Sequence, residues 1–197
     1  MPLPKDSRKI EVQWDKLAFF DIETAGLVAG RHQMFQIGVV VAHAKLGAVR
    51  RQFVRRMNFE YTGGVVDPEA LKLNGIDPKT WDGYPARQVL PQVWNFLADA
   101  GQIWGHGVQF DWGFLEPALR AAGYKTDMLG LRLRDTRTLA EPLVWAGKIA
   151  NPRLPTVCDF FGVSNDGAHD ALVDAERTFE IYRKLRRYYG PRLRARR

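Results

Sequence analysis

The chain has 197 residues, 46% apolar and 26% charged, the proportions of a globular protein with material for one sizeable core. No apolar run approaches the roughly 20 residues that span a bilayer, and the opening MPLPKDSRKI lacks the apolar stretch of a secretory leader. The single cysteine, Cys158, excludes an internal disulfide and a multi-cysteine zinc site, so a cytoplasmic protein is expected. Cys158 itself reads as a small core residue within TVCDFFGV. The formal charge is +7, but Arg183 to Arg197 hold eight Lys and Arg and no acid; without them 21 basic residues face 22 acidic ones, a net of −1. Such a basic end either attracts a polyanion such as nucleic acid or is simply solvated.

Three strands lead the chain. Lys16 to Glu23 is apolar on both faces and so central in its sheet. Met34 to His43 and Arg50 to Phe59 follow, with AKLGA turning between them, as a meander. Asp67 caps a short helix that has Pro68 at its first position and closes at Gly75. Next come a helix over about Ala86 to Ala100, a short strand in GQIWGHG, and a helix in FDWGFLEPALRAAG ended by Gly123, with Pro117 a possible kink. LRLRDTRTLA passes from strand into helix near Thr136, and LPTVCDFFGV is a short helix. The last helix spans about His169 to Tyr189, with Gly190 and Pro191 as its stop. Strands first, then alternating helices and strands, give a mixed-sheet α/β layer fold with no dividing linker. The expected layout is an extension over 1–15, one domain over 16–189 and a basic tail over 190–197.

Period-2 geometry puts Asp21 and Glu23 on one face of the first strand, at its C-terminal end, just before a turn at Gly26. Alone, such a pair is most simply two acids meeting solvent. Asp111 falls in the first turn of a helix, where the dipole favours an acid in any case. His169 lies at the mouth of the last helix and Asp174 more than one turn inside it. Five residues turn an ideal helix to about 140° out of alignment, so His169 belongs on the approach loop, swinging toward a site that Asp174 lines. Separately these could be a surface histidine and a solvated acid. Together, four acids and a histidine come from three segments, each at an end of an element. An all-oxygen ligand set suits hard cations such as Mg²⁺ or Mn²⁺. A pair of such ions serves phosphoryl displacement, and they would offset the cost of burying like charges.

At these residues the sequence resembles the DEDDh branch of the DEDD 3′→5′ exonucleases, which includes proofreading subunits of bacterial replicative polymerases and ribonuclease T. FDIETAGL resembles the first motif of that branch, HGVQFDWGFL the second and HDALVDA the third; LNGID, DTRTLA and VCDFFGV resemble its minor signatures. The likeness spans about Leu17 to Arg183. It implies a ribonuclease-H-like fold, a mixed five-stranded sheet with helices on both faces. It implies two metal ions held by Asp21, Glu23, Asp111 and Asp174, with His169 as general base. It also implies a substrate with a free 3′ end, single-stranded or an overhang. The terminal nucleotide would meet the backbone of Thr24, Ala25 and Gly26, Glu23 would reach the 3′-hydroxyl, and His106 would contact substrate. Leu27 would pack against the base, or be a plain core leucine. Gly107 stands where the family carries Asn, so one side-chain amide is missing. DNA and RNA substrates, and a non-catalytic binding module, are all open on the sequence. So are a homodimer and a replication or repair partner.

Overall fold

The computed structural model describes residues 10–44, 49–58, 66–77 and 79–194, with side chains described as far as 190. The sheet has five strands in the order β3-β2-β1-β4-β5. They are β1 (Gln13–Thr24), β2 (Met34–His43), β3 (Val49–Arg56), β4 (Ala100–Gly105) and β5 (Leu133–Asp135). β2 runs antiparallel to both β1 and β3, while β4 and β5 run parallel to β1. The helices are α1 (Pro68–Leu73), α2 (Ala86–Leu97), α3 (Val108–Ala121), α4 (Asp127–Gly130), α5 (Thr136–Trp145), α6 (Leu154–Phe161) and α7 (Ala171–Arg194). The mixed five-stranded α/β layer expected from the sequence is the observed one.

β1 is apolar in both directions because it is covered on both sides. Ala18, Phe20 and Ile22 enter the core beneath α2 and α3. Leu17 and Phe19 enter the opposite core beneath α7. There the Phe19 ring meets Trp104, Phe179 and Tyr182 at centroid distances of 6.2, 5.1 and 5.2 Å. Cys158 is buried in a third cluster between α5, α6 and α7. That burial pushes its thiol up to about 11, the inert core residue expected.

Local rules placed most element ends. Asp67 caps α1 by accepting the Glu69 N–H at 2.9 Å. Gly75 takes the left-handed backbone, φ 63°, that closes that turn. The ends that moved have tertiary causes. β1 starts at Gln13, whose N–H donates to the Asp99 carbonyl at 2.8 Å, an anchor 86 residues away. α2 stops at Leu97 because Ala100 already belongs to β4. α7 does not stop at Gly190 and Pro191 but continues to Arg194. A proline this close to a helix end removes only one intrahelical bond, which the remaining turn tolerates. The turn expected at AKLGA and the outer end of the third strand at Phe59 fall partly outside the described residues. Among the described residues, no helix is long and apolar enough to cross a membrane.

Candidate active site

Asp21 and Glu23 leave β1 on the same face as Phe19, toward α7. One carboxylate oxygen from each of Asp21, Glu23 and Asp174 lies within 4.8 Å of the others. Asp111 reaches the same place from the first turn of α3, where its Oδ1 accepts the Ile22 N–H at 3.3 Å, between the two β1 acids. The strand pairing shifts between Glu23 and Thr24, a bulge of the kind that re-aims side chains beside active sites.

Burial and mutual repulsion oppose ionisation here. Asp21 is raised well above the ordinary carboxylate range by burial, then by the charges of Asp111, Asp174, Glu23 and Asp170. Glu23, 8% exposed, is pushed up to about 8 by burial, then by Asp174, Asp111 and Asp170. Burial likewise pushes Asp111 up to about 8, against the pull of the Ile22 N–H. A protein keeps such a set only where something positive relieves it. The donors are oxygens, mutually close, with one cationic side chain, Arg177, paired to Asp174 among them, and they fit hard divalent cations.

The start of α7 is set by contacts that motif reading alone passes over. Gly38 on β2 lets the helix come close: a Cβ there would stand 2.3 Å from the Ala171 backbone. Asp170 accepts the N–H groups of Leu172 and Val173 at 3.0 and 3.2 Å, and the Gln36 side-chain amide at 3.1 Å. It therefore caps the helix and ties it to the sheet. An Asp directly before the apolar run ALV is the one signal of this in the sequence. Asp174 accepts the His169 N–H at 3.2 Å and pairs with Arg177 at 2.6 Å. Arg177 is 5% exposed and also donates to the carbonyls of Ser164, at 2.9 Å, and Asp166. It thus staples the loop that leads to His169. His169 sits on that loop, exposed, with φ 67°. It is the only positive-φ residue other than glycine among the described residues, and backbone held this way collects at functional sites.

The expected substrate contacts divide. The Thr24 hydroxyl donates to the Gly26 carbonyl at 2.8 Å, and the Ala25 N–H to the Gln33 carbonyl at 2.8 Å, which shapes the turn after the bulge. Gly26 has φ 152°, and a Cβ there would lie 2.5 Å from the ring of His32. His32 is itself held by the Val28 N–H at 2.9 Å. Leu27 is 78% exposed, which removes the core reading and leaves an apolar side chain in solvent beside the acids. His106 is tied into the fold at both ring nitrogens. Its Nδ1 meets the Thr136 hydroxyl at 3.0 Å and its Nε2 the Pro152 carbonyl at 2.9 Å. Burial lowers its basicity, and the two contacts join α5 to the loop before α6. Gly107 has φ 84° and donates its N–H to Asp135 at 2.9 Å, with open space where a Cβ would lie.

Residues 18–182 match the family model described as exonuclease. The chain belongs to this exonuclease family. It is 30% identical to the ribonuclease T of Shewanella frigidimarina over 181 residues, covering 82% of this chain and 78% of that one. It is 28% identical to the PolC-type DNA polymerase III of Halalkalibacterium halodurans over 182 residues, 90% of this chain but 12% of that one. Among solved structures, an exonuclease I superposes with a TM-score of 0.78 at 18% identity, over 91% of this chain and 42% of that one. Exonuclease I of Methylocaldum szegediense gives 0.75 at 19%, over 90% and 41%. These likenesses establish the ribonuclease-H-like fold, and this chain spans less than half of exonuclease I. As a 3′→5′ exonuclease, the chain carries the residue types that name the DEDDh branch at Asp21, Glu23, Asp111, Asp174 and His169.

Proposed function

We propose that this exonuclease removes nucleoside 5′-monophosphates from the 3′ end of single-stranded or overhanging nucleic acid, DNA favoured. In this reading Asp21, Glu23, Asp111 and Asp174 hold two divalent cations, Mg²⁺ or Mn²⁺, and His169 is the general base. The observation that carries it is the meeting of carboxylates from β1 and α7 within 4.8 Å, with Asp111 beside them. Bound cations would supply a more acidic water and a clamp on the attacking and leaving oxygens. His169, on its strained loop beside Asp174, accepts the proton of the attacking water. The water oxygen bonds to the terminal phosphorus as the bond to the preceding 3′-oxygen breaks. That oxygen leaves, takes a proton and becomes the new 3′-hydroxyl. The turn of Thr24, Ala25 and Gly26 supports the terminal nucleotide, Glu23 meets its 3′-hydroxyl, and the exposed Leu27 packs on its base. His106 has no part, because both of its ring nitrogens are engaged.

Complexes of Escherichia coli exonuclease I with dT13 and dA16 oligonucleotides support single-stranded DNA as the substrate class. The ribonuclease T relatives favour RNA as the second reading. Matched DNA and RNA oligonucleotides with free 3′ ends, incubated with Mg²⁺ or Mn²⁺, test both. Stepwise shortening of the DNA with release of 5′-monophosphates is expected. Shortening of RNA alone would give the second reading, and shortening of neither would leave a binding module.

A further inference from the structure

Edge strand β3 carries Arg50, Arg51, Arg55 and Arg56. Among the described residues none of the four has an ion-pair partner, whereas Arg120, Arg177 and Arg183 all do. Three of the β3 guanidiniums lie over aromatic rings instead. Arg51 stands 4.2 Å from the centre of Phe96 and Arg56 4.7 Å from that of Trp81. Arg55 lies 5.0 Å from Phe53 and 6.0 Å from Tyr84. The Trp81 platform is itself fixed, its indole N–H donating to the Met57 carbonyl at 2.9 Å. A ring beneath a guanidinium restrains it without neutralising it and leaves N–H groups for phosphate oxygens, although Arg55 gives one of its N–H groups to the Val54 carbonyl at 2.8 Å.

The pairing register relates this strip to the acids. Glu23 is opposite Gln36, and Gln36 is opposite Arg56. Directly paired residues share a face, and Gln36 turns toward Asp170, so Arg56 lies on the acidic face of the sheet. Two strand spacings put its backbone about 10 Å from that of Glu23. Arg50 lies on the same edge about 20 Å further, while Arg51 and Arg55 turn to the other face, beside Phe96 and Phe53, so the four flank the edge from both sides.

We infer that β3 is a phosphate track for the nucleic-acid strand whose 3′ end enters the site, starting one or two nucleotides behind the scissile bond at Arg56. The track contacts backbone and reads no bases. The strand's direction rests on the proposed function; the binding does not. A charged edge strand also deters edge-to-edge pairing between chains, and that role alone requires no affinity for nucleic acid.

The test replaces Arg50, Arg51, Arg55 and Arg56 by Gln in one variant and by Lys in another, with circular dichroism melts to show that both fold. Binding of labelled twenty-nucleotide dT and rU strands is followed by fluorescence anisotropy in chelator across a salt series. The Gln variant should bind about tenfold or more weakly, and its salt slope should shrink by about 2–3, at ~0.7 per lost phosphate contact. The Lys variant should keep most of the slope. In the activity assay, KM for the long strand should rise by a similar factor, with dinucleotide hydrolysis unchanged within about twofold. Three results would overturn the track: wild type binding neither strand, a Gln variant with wild-type affinity and slope, or an equal loss on the dinucleotide. If wild type binds but cleaves nothing, and the Gln variant binds more weakly, the proposed function fails and the track stands.

Discussion

Two like-charged groups lie on this sheet, and the fold treats them oppositely. The acids at the end of β1 are crowded, and Glu23 and Asp111 are almost fully buried. The arginines of β3 are strung along an edge, three of them exposed, each free to keep its hydration. Crowding charge in a dry place costs several kcal/mol per uncompensated ion, while spreading it on a surface costs little. The first arrangement therefore implies a bound counter-charge at fixed points. The second implies a mobile, extended polyanion.

The contrast breaks most sharply at Asp21. Asp21→Asn should reduce cleavage to background while raising the melting temperature of the metal-free chain at pH 8, because a neutral amide carries neither a buried charge nor the cost of holding a proton that the unfolded chain has released. A lower melting temperature would show that the acids are not in mutual conflict. Single arginine substitutions on β3 should instead leave turnover close to wild type. The next largest effect is expected at His169. His169→Ala should lower kcat by about 10²–10⁴-fold while Mn²⁺ binding, read by calorimetry, stays intact; loss of the metal with the side chain would make His169 a ligand. Gly38→Ala should cost about 1–3 kcal/mol of stability and a larger share of activity. The added methyl meets the Ala171 backbone and pushes the start of α7, with Asp170 and Asp174, off the sheet. An active Gly38→Ala enzyme would mean that α7 can yield without moving its acids.

The mildest effect is with pH. Glu23 and Asp111 are pushed up to about 8 in the folded chain, against about 4 when unfolded. The folded state then binds more protons, so their contribution is fully present below about pH 4 and is lost as pH rises toward 8. Melts of the metal-free chain should decline across that window. Divalent cations should reverse the decline most strongly at pH 8, where they have no protons to displace. A flat profile without metal would refute the raised values.

Much of this was readable from residue order. The apolar run over Lys16 to Glu23 specified a central strand, because only a strand covered on both faces has no polar alternation. Asp67, Pro68 and Gly75 specified α1 through cap geometry that needs no distant partner. The spacing of Asp174 from His169 put the histidine on the approach loop, where it is found. Other features were not readable in that way. Leu27 and His106 sit in motifs, yet their surroundings come from elsewhere, solvent for Leu27 and Thr136 with Pro152 for His106. The net charge of −1 outside the C-terminal segment concealed the β3 arginines, since a sum has no positions.

The sequence by itself determined the order and type of nearly every element, and the five residue types of the candidate site. Their rules are local: hydrophobic period, caps, turns and short motifs. Only the tertiary structure decided that acids from β1, α3 and α7 meet, that Gly38 admits the helix which brings Asp174, and that Arg56 shares a register with Glu23. Those facts depend on strand pairing and close packing between segments far apart in the chain, as in the bond from Gln36 to Asp170, 134 residues away. Distances across the chain of that kind are fixed by the folded core and by no local pattern.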